Sequence, residues 1–312
     1  VRPCMPAPGD RDALHSVQER RIEFRHPAYP DSAPPLLSLA AVDGERFGAG
    51  IEYSVAFAAC GIVAGNRWEG AWFGQKDRID GTDCISRVVR PVDGILRGSM
   101  YYFCIGPNTL DRYAVVQSFE HWRFPHHNLP PVWRDLAIKQ PLVVPNDPDR
   151  CFSAVVCRDR SCRITGCAEA CKAFRLIPPN AGEWFTSNSM DRYSRFPEPG
   201  NTDDDRNMIL LRRDLHHLLD KRRCAIVPKM AAAASPLCGP TLVTHLLLPQ
   251  RKRELHDLYH NRALQHPVTG IAVEALFARF AWAVMCPETF PFLTGNTDGF
   301  RVMSFDTKTK KL

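Results

Sequence analysis

The chain has 312 residues, of which 45% are hydrophobic and 24% charged, a balance typical of a globular protein and not of a disordered one. No apolar run reaches membrane-spanning length, and the formal net charge of +6 permits an anionic partner without requiring one. Twelve irregularly spaced cysteines and no N-terminal signal peptide predict reduced thiols in an intracellular protein, nuclear or cytoplasmic.

Two regions of different character make up the first 130 residues. Residues 1–40 are rich in proline, arginine and aspartate, which predicts a flexible arm. Residues 41–130 predict a β-rich region, because the segments 51–65, 95–106 and 113–124 are rich in β-branched and aromatic residues. None of these segments carries recognisable chemistry.

A linker and a central unit follow. Residues 131–150 are bounded by prolines and predict the linker. Residues 151–229 predict two short strands, SAVVCRD and KAFRLIP, followed by a long polar loop and a helix.

Residues 230–312 predict a C-terminal strand and helical extension. The segment 241–249 predicts a strand that pairs with residues 224–228. Residues 250–264 predict a polar helix, and residues 272–285, apolar on almost every side, predict a buried helix.

The chemistry is concentrated in residues 201–224. If residues 212–220 are helical, His216 and Asp220 share one face, where an imidazole and a carboxylate can hold a divalent cation. The nearby basic side chains suit a phosphate backbone. These are Arg212, Arg213, Lys221, Arg222 and Arg223. Together they indicate metal-dependent phosphodiester chemistry.

Several motifs in this part of the chain resemble a known family. RDRSCRITG, FRLIPP, WFTSNSMDRY and NMILLRRDLHHLLD resemble the HNH endonuclease domain found in many fungal proteins, and LYHNRALQ and LFARFAWAV resemble their C-terminal extension. The resemblance covers about 150–285 and is weaker over 95–135. It implies an α+β fold with a β-rich N-terminal region, a central ββα-metal (HNH) finger and a C-terminal helical extension.

The resemblance also implies the roles of individual residues in hydrolysing DNA. A histidine acts as general base, an asparagine positions it, and a histidine on the helix binds Mg²⁺ or Mn²⁺. Asn207 matches the asparagine, His216 the metal histidine and Asp220 an aspartate of the motif. The general-base position is Arg175, and an arginine keeps its proton at physiological pH. Arg175 could still bind a phosphate.

Simpler interpretations stay open for each of these residues. His216 could be a solvent-facing helix residue, Asp220 could pair with Arg223 or Lys221, and Asn207 could be only a cap. The basic run could be a solvated face. A structural zinc site is not expected from the cysteines between 157 and 171, because they lack a closely spaced pair.

Three hypotheses follow for the function. The first is an HNH-type metal-dependent DNA endonuclease-like protein whose cleavage is weak or absent because of Arg175. The second is a non-catalytic module that retains the HNH scaffold and binds nucleic acid or a protein. The third is a structural zinc protein built on the cysteines. DNA is the expected partner under the first, and nothing in the sequence identifies a protein partner.

Overall fold

The computed structural model describes residues 20–44, 49–79, 82–107, 111–139, 151–230, 239–248, 254–265, 268–293 and 302–304. Within these ranges the strands are β1 (Arg21–Arg25), β2 (Leu37–Ala40), β3 (Ile51–Glu52), β4 (Ala71–Ile79), β5 (Thr82–Arg87), β6 (Ile95–Leu96), β7 (Met100–Ile105), β8 (Cys171–Arg175), β9 (Met208–Arg212), β10 (Cys224–Lys229) and β11 (Thr241–Leu246). The α-helices are α1 (Tyr53–Val63), α2 (Pro131–Arg134), α3 (Cys151–Asp159), α4 (Gly182–Ser187), α5 (Arg213–Asp220), α6 (Glu254–Tyr259) and α7 (Val273–Val284). This mixture agrees with the predicted α+β class. No helix in the described ranges could cross a bilayer.

The N-terminal region is built on a five-stranded sheet in the order β2-β1-β7-β4-β5. The neighbouring strands are antiparallel except for β1 and β7, which are parallel. The prediction of a flexible arm is therefore wrong for residues 20–40, which supply β1 and β2. Ile22 and Phe24 alternate with half-buried polar residues along β1 and are fully buried, so this short strand is held by the core. Residues 1–19 lie outside the described residues.

The segment 51–65, predicted as a strand, is mainly the helix α1. Glu52 caps it by accepting a hydrogen bond from the Val55 amide at 2.8 Å, and most of its residues are buried. An apolar run buried on every side has no visible period, so burial alone does not distinguish a strand from a helix here. The prediction for 95–106 is confirmed by β6 and β7, whereas 113–124 contains a short 3₁₀ turn at Phe119–His121.

Residues 131–139 of the predicted linker are packed against the C-terminal extension. The α2 helix buries Trp133, whose ring stacks on Phe280 at a centroid distance of 5.7 Å. Residues 140–150 lie outside the described residues. The linker prediction is thus wrong for the helical turn, because a buried tryptophan fixes that segment to the core.

A helix also replaces the first predicted strand of the central unit. SAVVCRD lies in α3, where Cys151, Val155 and Asp159 are buried at every fourth position. Asp159 bonds to Arg158 and accepts a hydrogen bond from the Leu210 amide at 2.8 Å, which fixes α3 to β9. The first strand of the unit is instead β8, which corresponds to the predicted second run.

The C-terminal predictions are largely confirmed. β10 and β11 pair antiparallel from Cys224↔Leu246 to Lys229↔Thr241. The buried helix predicted at 272–285 is α7, which packs against β10. The helix predicted over 250–264 is described only as α6, and residues 249–253 lie outside the described residues. One hydrophobic core extends from Ile22 to Phe292, so the N-terminal sheet and the central unit share their packing.

Candidate functional site

The candidate site lies where β8 and β9 form an antiparallel hairpin that leads directly into α5. Phe174 pairs with Ile209, and Arg175 pairs with Met208. Because side chains alternate along a strand, Phe174 and Arg175 lie on opposite faces of the hairpin. Ala173, Met208 and Leu210 pack with Val155 of α3 on the face of Arg175, while Phe174 belongs to the main core.

Asn207 fastens the two strands together. Its side chain is buried, accepts a hydrogen bond from the Ile177 amide at 2.9 Å, and donates to the carbonyls of Ile177 and Thr202 at 2.9 Å. All of these partners are backbone groups in the segments that flank β8 and β9. This geometry goes beyond a helix cap and fixes the path of the chain just after Arg175.

The acidic turn before Asn207 is used to hold the loop. Asp204 accepts hydrogen bonds from the amides of Arg195 and Phe196 at 2.8 and 3.0 Å. Asp205 forms a two-point ion pair with Arg195 at 2.7 and 2.8 Å, and both side chains are largely buried. These two carboxylates therefore hold the long loop in place through hydrogen bonds.

Arg175 is engaged on its own side of the hairpin. Its Nε atom donates to Asp203, and its guanidinium lies over the Phe152 ring at 4.7 Å. The side chain retains 26% of its exposed surface. An anion beside this group would compete with the Asp203 carboxylate for the positive charge of Arg175.

His216 lies on the opposite face, against the core. Its Nδ1 atom is 3.0 Å from an oxygen of Asp220, one helical turn away, as the spacing of the sequence predicted. The imidazole also packs edge-on against Phe174 with a centroid distance of 4.8 Å. Burial lowers the pKa of His216, and this effect outweighs that of the Asp220 carboxylate, which raises the pKa. The neutral ring is therefore favoured.

Asp220 has a further partner that the sequence does not suggest, Arg279 of α7. One guanidinium nitrogen of Arg279 lies 3.5 Å from the carboxylate and 2.5 Å from the Leu219 carbonyl, to which it donates. The guanidinium also lies over the rings of Phe174 and Trp282, at 4.7 and 4.2 Å. Burial lowers the pKa of Arg279 to about 10, so the group stays charged at neutral pH. Arg279 is the only basic residue of α7 and is flanked by apolar residues, which was the signal that could have indicated a buried partner.

These contacts make His216 and Asp220 a poor fit for a divalent ion. A permanent cation already lies beside the Asp220 carboxylate, and like charges repel strongly in a partly buried site. The Phe174 ring lies beside the imidazole and offers no ligand atom. Magnesium prefers several oxygen ligands, and this pair offers one carboxylate and one ring nitrogen.

The five predicted basic residues differ in how they are engaged. Arg212 bonds to Asp214, Arg222 lies over Trp282 at 3.9 Å, and Arg223 donates to the Leu248 carbonyl at 3.4 Å. Arg213 and Lys221 are exposed at the two ends of α5. Eight residues of helix separate them by about 12 Å along its axis.

A groove of about 730 Å³ runs between α5 and α6. It is lined by Thr165, Arg212, Asp214, His217, Leu218, Arg223, Glu254, Leu255, Leu258, Tyr259 and Arg262. His217, adjacent to His216 in the sequence, faces this groove and is exposed. The groove therefore presents charge of both signs on the outer side of α5.

Comparison with known protein families finds a match in this part of the chain. Residues 162–227 match the family model of HNH endonucleases. The HNH match includes β8, β9, α5 and Arg175, and it lies within the central unit predicted at 151–229. It supports a nuclease-like unit in this part of the chain. No curated protein and no solved structure matches the chain.

Proposed function

We propose that this chain is an HNH-type, nuclease-like protein that binds DNA and hydrolyses its phosphodiester bonds weakly or not at all. The observation that carries the proposal is the ion pair of Arg175 with Asp203. The resemblance to HNH endonucleases assigns the general-base position to Arg175. A guanidinium does not release its proton at physiological pH, and loss of a general base slows a reaction by about 10²- to 10⁴-fold. Asn207 has the orienting role in this proposal.

The surroundings of the proposed metal residues support the same conclusion. A Mg²⁺ or Mn²⁺ ion held by His216 and Asp220 would have to move Arg279 away from the carboxylate. Arg279 is almost completely buried and bonds to the Leu219 carbonyl, so moving it would break packing and a hydrogen bond. Weak metal binding and a missing base both lower the expected rate.

Contact with DNA is assigned chiefly to Arg213 and Lys221. Both are exposed, and their spacing along α5 suits contacts with separate phosphates of one backbone. Arg212, Arg222 and Arg223 are engaged within the protein and would contribute mainly through their long-range field. Arg175 adds a phosphate contact if a phosphate replaces Asp203.

A plasmid-nicking assay with Mg²⁺ and with Mn²⁺ tests the hydrolytic part of the proposal. The chain as it stands is compared with Arg175→His, with Arg175→His/His216→Ala, and with Arg192→His as a control that changes an exposed arginine of the loop. We expect background cleavage by the unchanged chain. Robust, metal-dependent cleavage by the unchanged chain would contradict the proposal. Activity in Arg175→His alone, lost in the double variant, would identify the missing base as the sole defect.

The second candidate is a non-catalytic binding module, which the ion pairs of Arg175 and Asp220 favour. Fluorescence anisotropy with a labelled duplex at several salt concentrations tests binding separately from cleavage. Arg213→Ala/Lys221→Ala is expected to weaken binding and to reduce the slope of log affinity against log salt by about two. Arg67→Ala/Lys139→Ala removes the same charge from exposed positions outside the HNH match and is the control. Equal effects of the two double variants would argue against a site on α5.

A further inference from the structure

A second cluster of polar side chains lies outside the residues of the HNH finger. It joins Asp43, which precedes β3, to His245 on β11 and to His260, which follows α6. One ligand atom from each residue lies within 4.8 Å of the others. Asp43 and His245 are buried, and the His260 side chain retains 3% of its exposed surface. Two imidazoles and one carboxylate are a donor set that binds divalent transition metals.

The orientation of Asp43 and His260 is fixed by hydrogen bonds. The Nδ1 atom of His260 accepts from the Leu246 amide at 3.3 Å, so the ring proton is on Nε2. This Nε2 lies 2.9 Å from Oδ1 of Asp43 and donates to it. Oδ2 of Asp43 accepts from the Glu52 amide at 2.8 Å. Two of the three ligands are thus held in place before an ion arrives.

His245 provides the independent indication of a ligand. Its ring is fully buried, and among the described residues neither nitrogen has a hydrogen-bond partner. Its Nδ1 atom is 3.8 Å from Oδ2 of Asp43, which is too long for a hydrogen bond. Two ligands of one zinc ion, each about 2.0 Å from the metal, are separated by a little over 3 Å. A small shift therefore brings this pair to coordinating distance.

Lys229 is the group that competes with a metal in this cluster. Its Nζ atom is 2.5 Å from Oδ1 of Asp43 and 2.7 Å from Oδ1 of Asn261. Lys229, Asp43 and Asn261 also line an open cleft of about 610 Å³. The ammonium can withdraw into this cleft on its flexible stem, and an ion can enter from the same side.

We propose that Asp43, His245 and His260 bind a divalent transition-metal ion of the zinc class, which displaces the Lys229 ammonium from Asp43. Nε2 of His260 binds the ion after the ring proton moves from Nε2 to Nδ1, which breaks the 3.3 Å hydrogen bond from the Leu246 amide and keeps the ring neutral. A fourth position is left for water or for Asn261. The site would link Asp43 to a histidine 217 positions later in the chain.

Titration of the metal-free, full-length chain with Zn²⁺ against a chromophoric chelator tests this site. We expect one tightly bound equivalent, an affinity at least about a hundredfold lower in His245→Gln, and little change in His216→Gln, the matched control in the finger. Lys229→Met is expected to tighten binding about tenfold, because it removes a competing positive charge. No bound zinc, zinc retained in His245→Gln, or zinc lost only in His216→Gln would overturn the proposal.

Anomalous diffraction keeps the proposal testable if His245→Gln does not fold. Crystals of the unchanged chain are soaked with Zn²⁺ and measured at the zinc absorption edge. A peak between Asp43, His245 and His260 supports the site. A peak at another position alone, or no peak, overturns it.

Discussion

The Arg279 guanidinium of α7 lies 3.5 Å from the Asp220 carboxylate at the end of α5, although the two residues are 59 positions apart in the sequence. The contact joins the C-terminal extension to the proposed metal pair of the HNH match. It places a permanent positive charge beside the carboxylate. Arg279 of the extension is therefore part of the candidate site and influences what Asp220 can bind.

Replacing Arg279 is expected to destabilise the fold more than replacing its partner. Arg279→Met keeps most of the volume but removes charge-assisted hydrogen bonds to backbone carbonyls, so we expect the free energy of unfolding to fall by about 2–4 kcal/mol. Asp220 is half exposed, so Asp220→Asn should lower it by less than about 1 kcal/mol. Denaturant unfolding measures both variants, and equal losses would show that the ion pair itself dominates.

Asn207 is expected to be essential for the shape of the hairpin. Asn207→Ala leaves one buried amide and two carbonyls without their side-chain partner, and should lower the free energy of unfolding by about 2–4 kcal/mol. Asn180→Ala changes an exposed asparagine in the 3₁₀ turn that follows β8 and should alter the free energy of unfolding by no more than about 0.5 kcal/mol. Thermal or urea unfolding compares the two. A small effect at Asn207 would mean that the strands hold their register without it.

The burial of His26 is expected to make the fold less stable in mild acid. The ring is stacked on Tyr113 at 3.7 Å, and burial lowers its pKa from 6.5 to about 4. The fold favours the neutral ring, so its stabilising contribution is fully present above pH 6.5 and is lost as the pH falls toward 4. Between pH 7.5 and 5 this amounts to about 2 kcal/mol.

The variant His26→Gln isolates this effect, because all other titrating groups are unchanged. The difference in unfolding free energy between the unchanged chain and His26→Gln should shrink by about 2 kcal/mol from pH 7.5 to 5. Urea unfolding at several pH values gives this difference. A constant difference over that range would exclude His26 as the acid-sensitive group.

Gly50 is expected to tolerate no side chain. A Cβ atom there would lie 2.3 Å from the Leu96 carbonyl oxygen and 2.5 Å from a methyl group of Ile95. Gly50→Ala must therefore push β3 away from β6 and should lower the free energy of unfolding by about 1–3 kcal/mol. Gly239→Ala is the matched control, since its Cβ would meet no atom within 4 Å. Similar stability of the two variants would show that β6 moves easily.

The local pattern of the sequence was sufficient for β8 and α5, whereas it did not predict the strand β9. The spacing of His216 and Asp220 predicted a shared helical face, and the structure places their side chains 3.0 Å apart. The apolar runs 224–228 and 241–249 predicted the pairing of β10 with β11, because each carries a strand pattern bounded by turn residues. The motifs around Arg175 and Asn207 predicted the unit that the HNH match covers.

Prediction from the local sequence pattern failed where complete burial left no hydrophobic periodicity, and where a contact depended on residues far apart in the chain. The runs in α1 and α3 were predicted as strands, since short apolar segments have no period that distinguishes the two structures. Phe174 lies beside His216, and Arg175 on the opposite face of β8 contacts Asp203. Predicting these contacts would have required the register of β8 and β9.

The sequence by itself determined which residues we propose for phosphodiester chemistry, and the permanent charge of arginine means that Arg175 would not act as a general base. Tertiary structure alone decided the charge around those residues, by bringing Arg279 to Asp220. It also brought together Asp43, His245 and His260. The physical reason is that a buried charge is tolerated only where the fold supplies its partner, and such a partner can come from any distance along the chain.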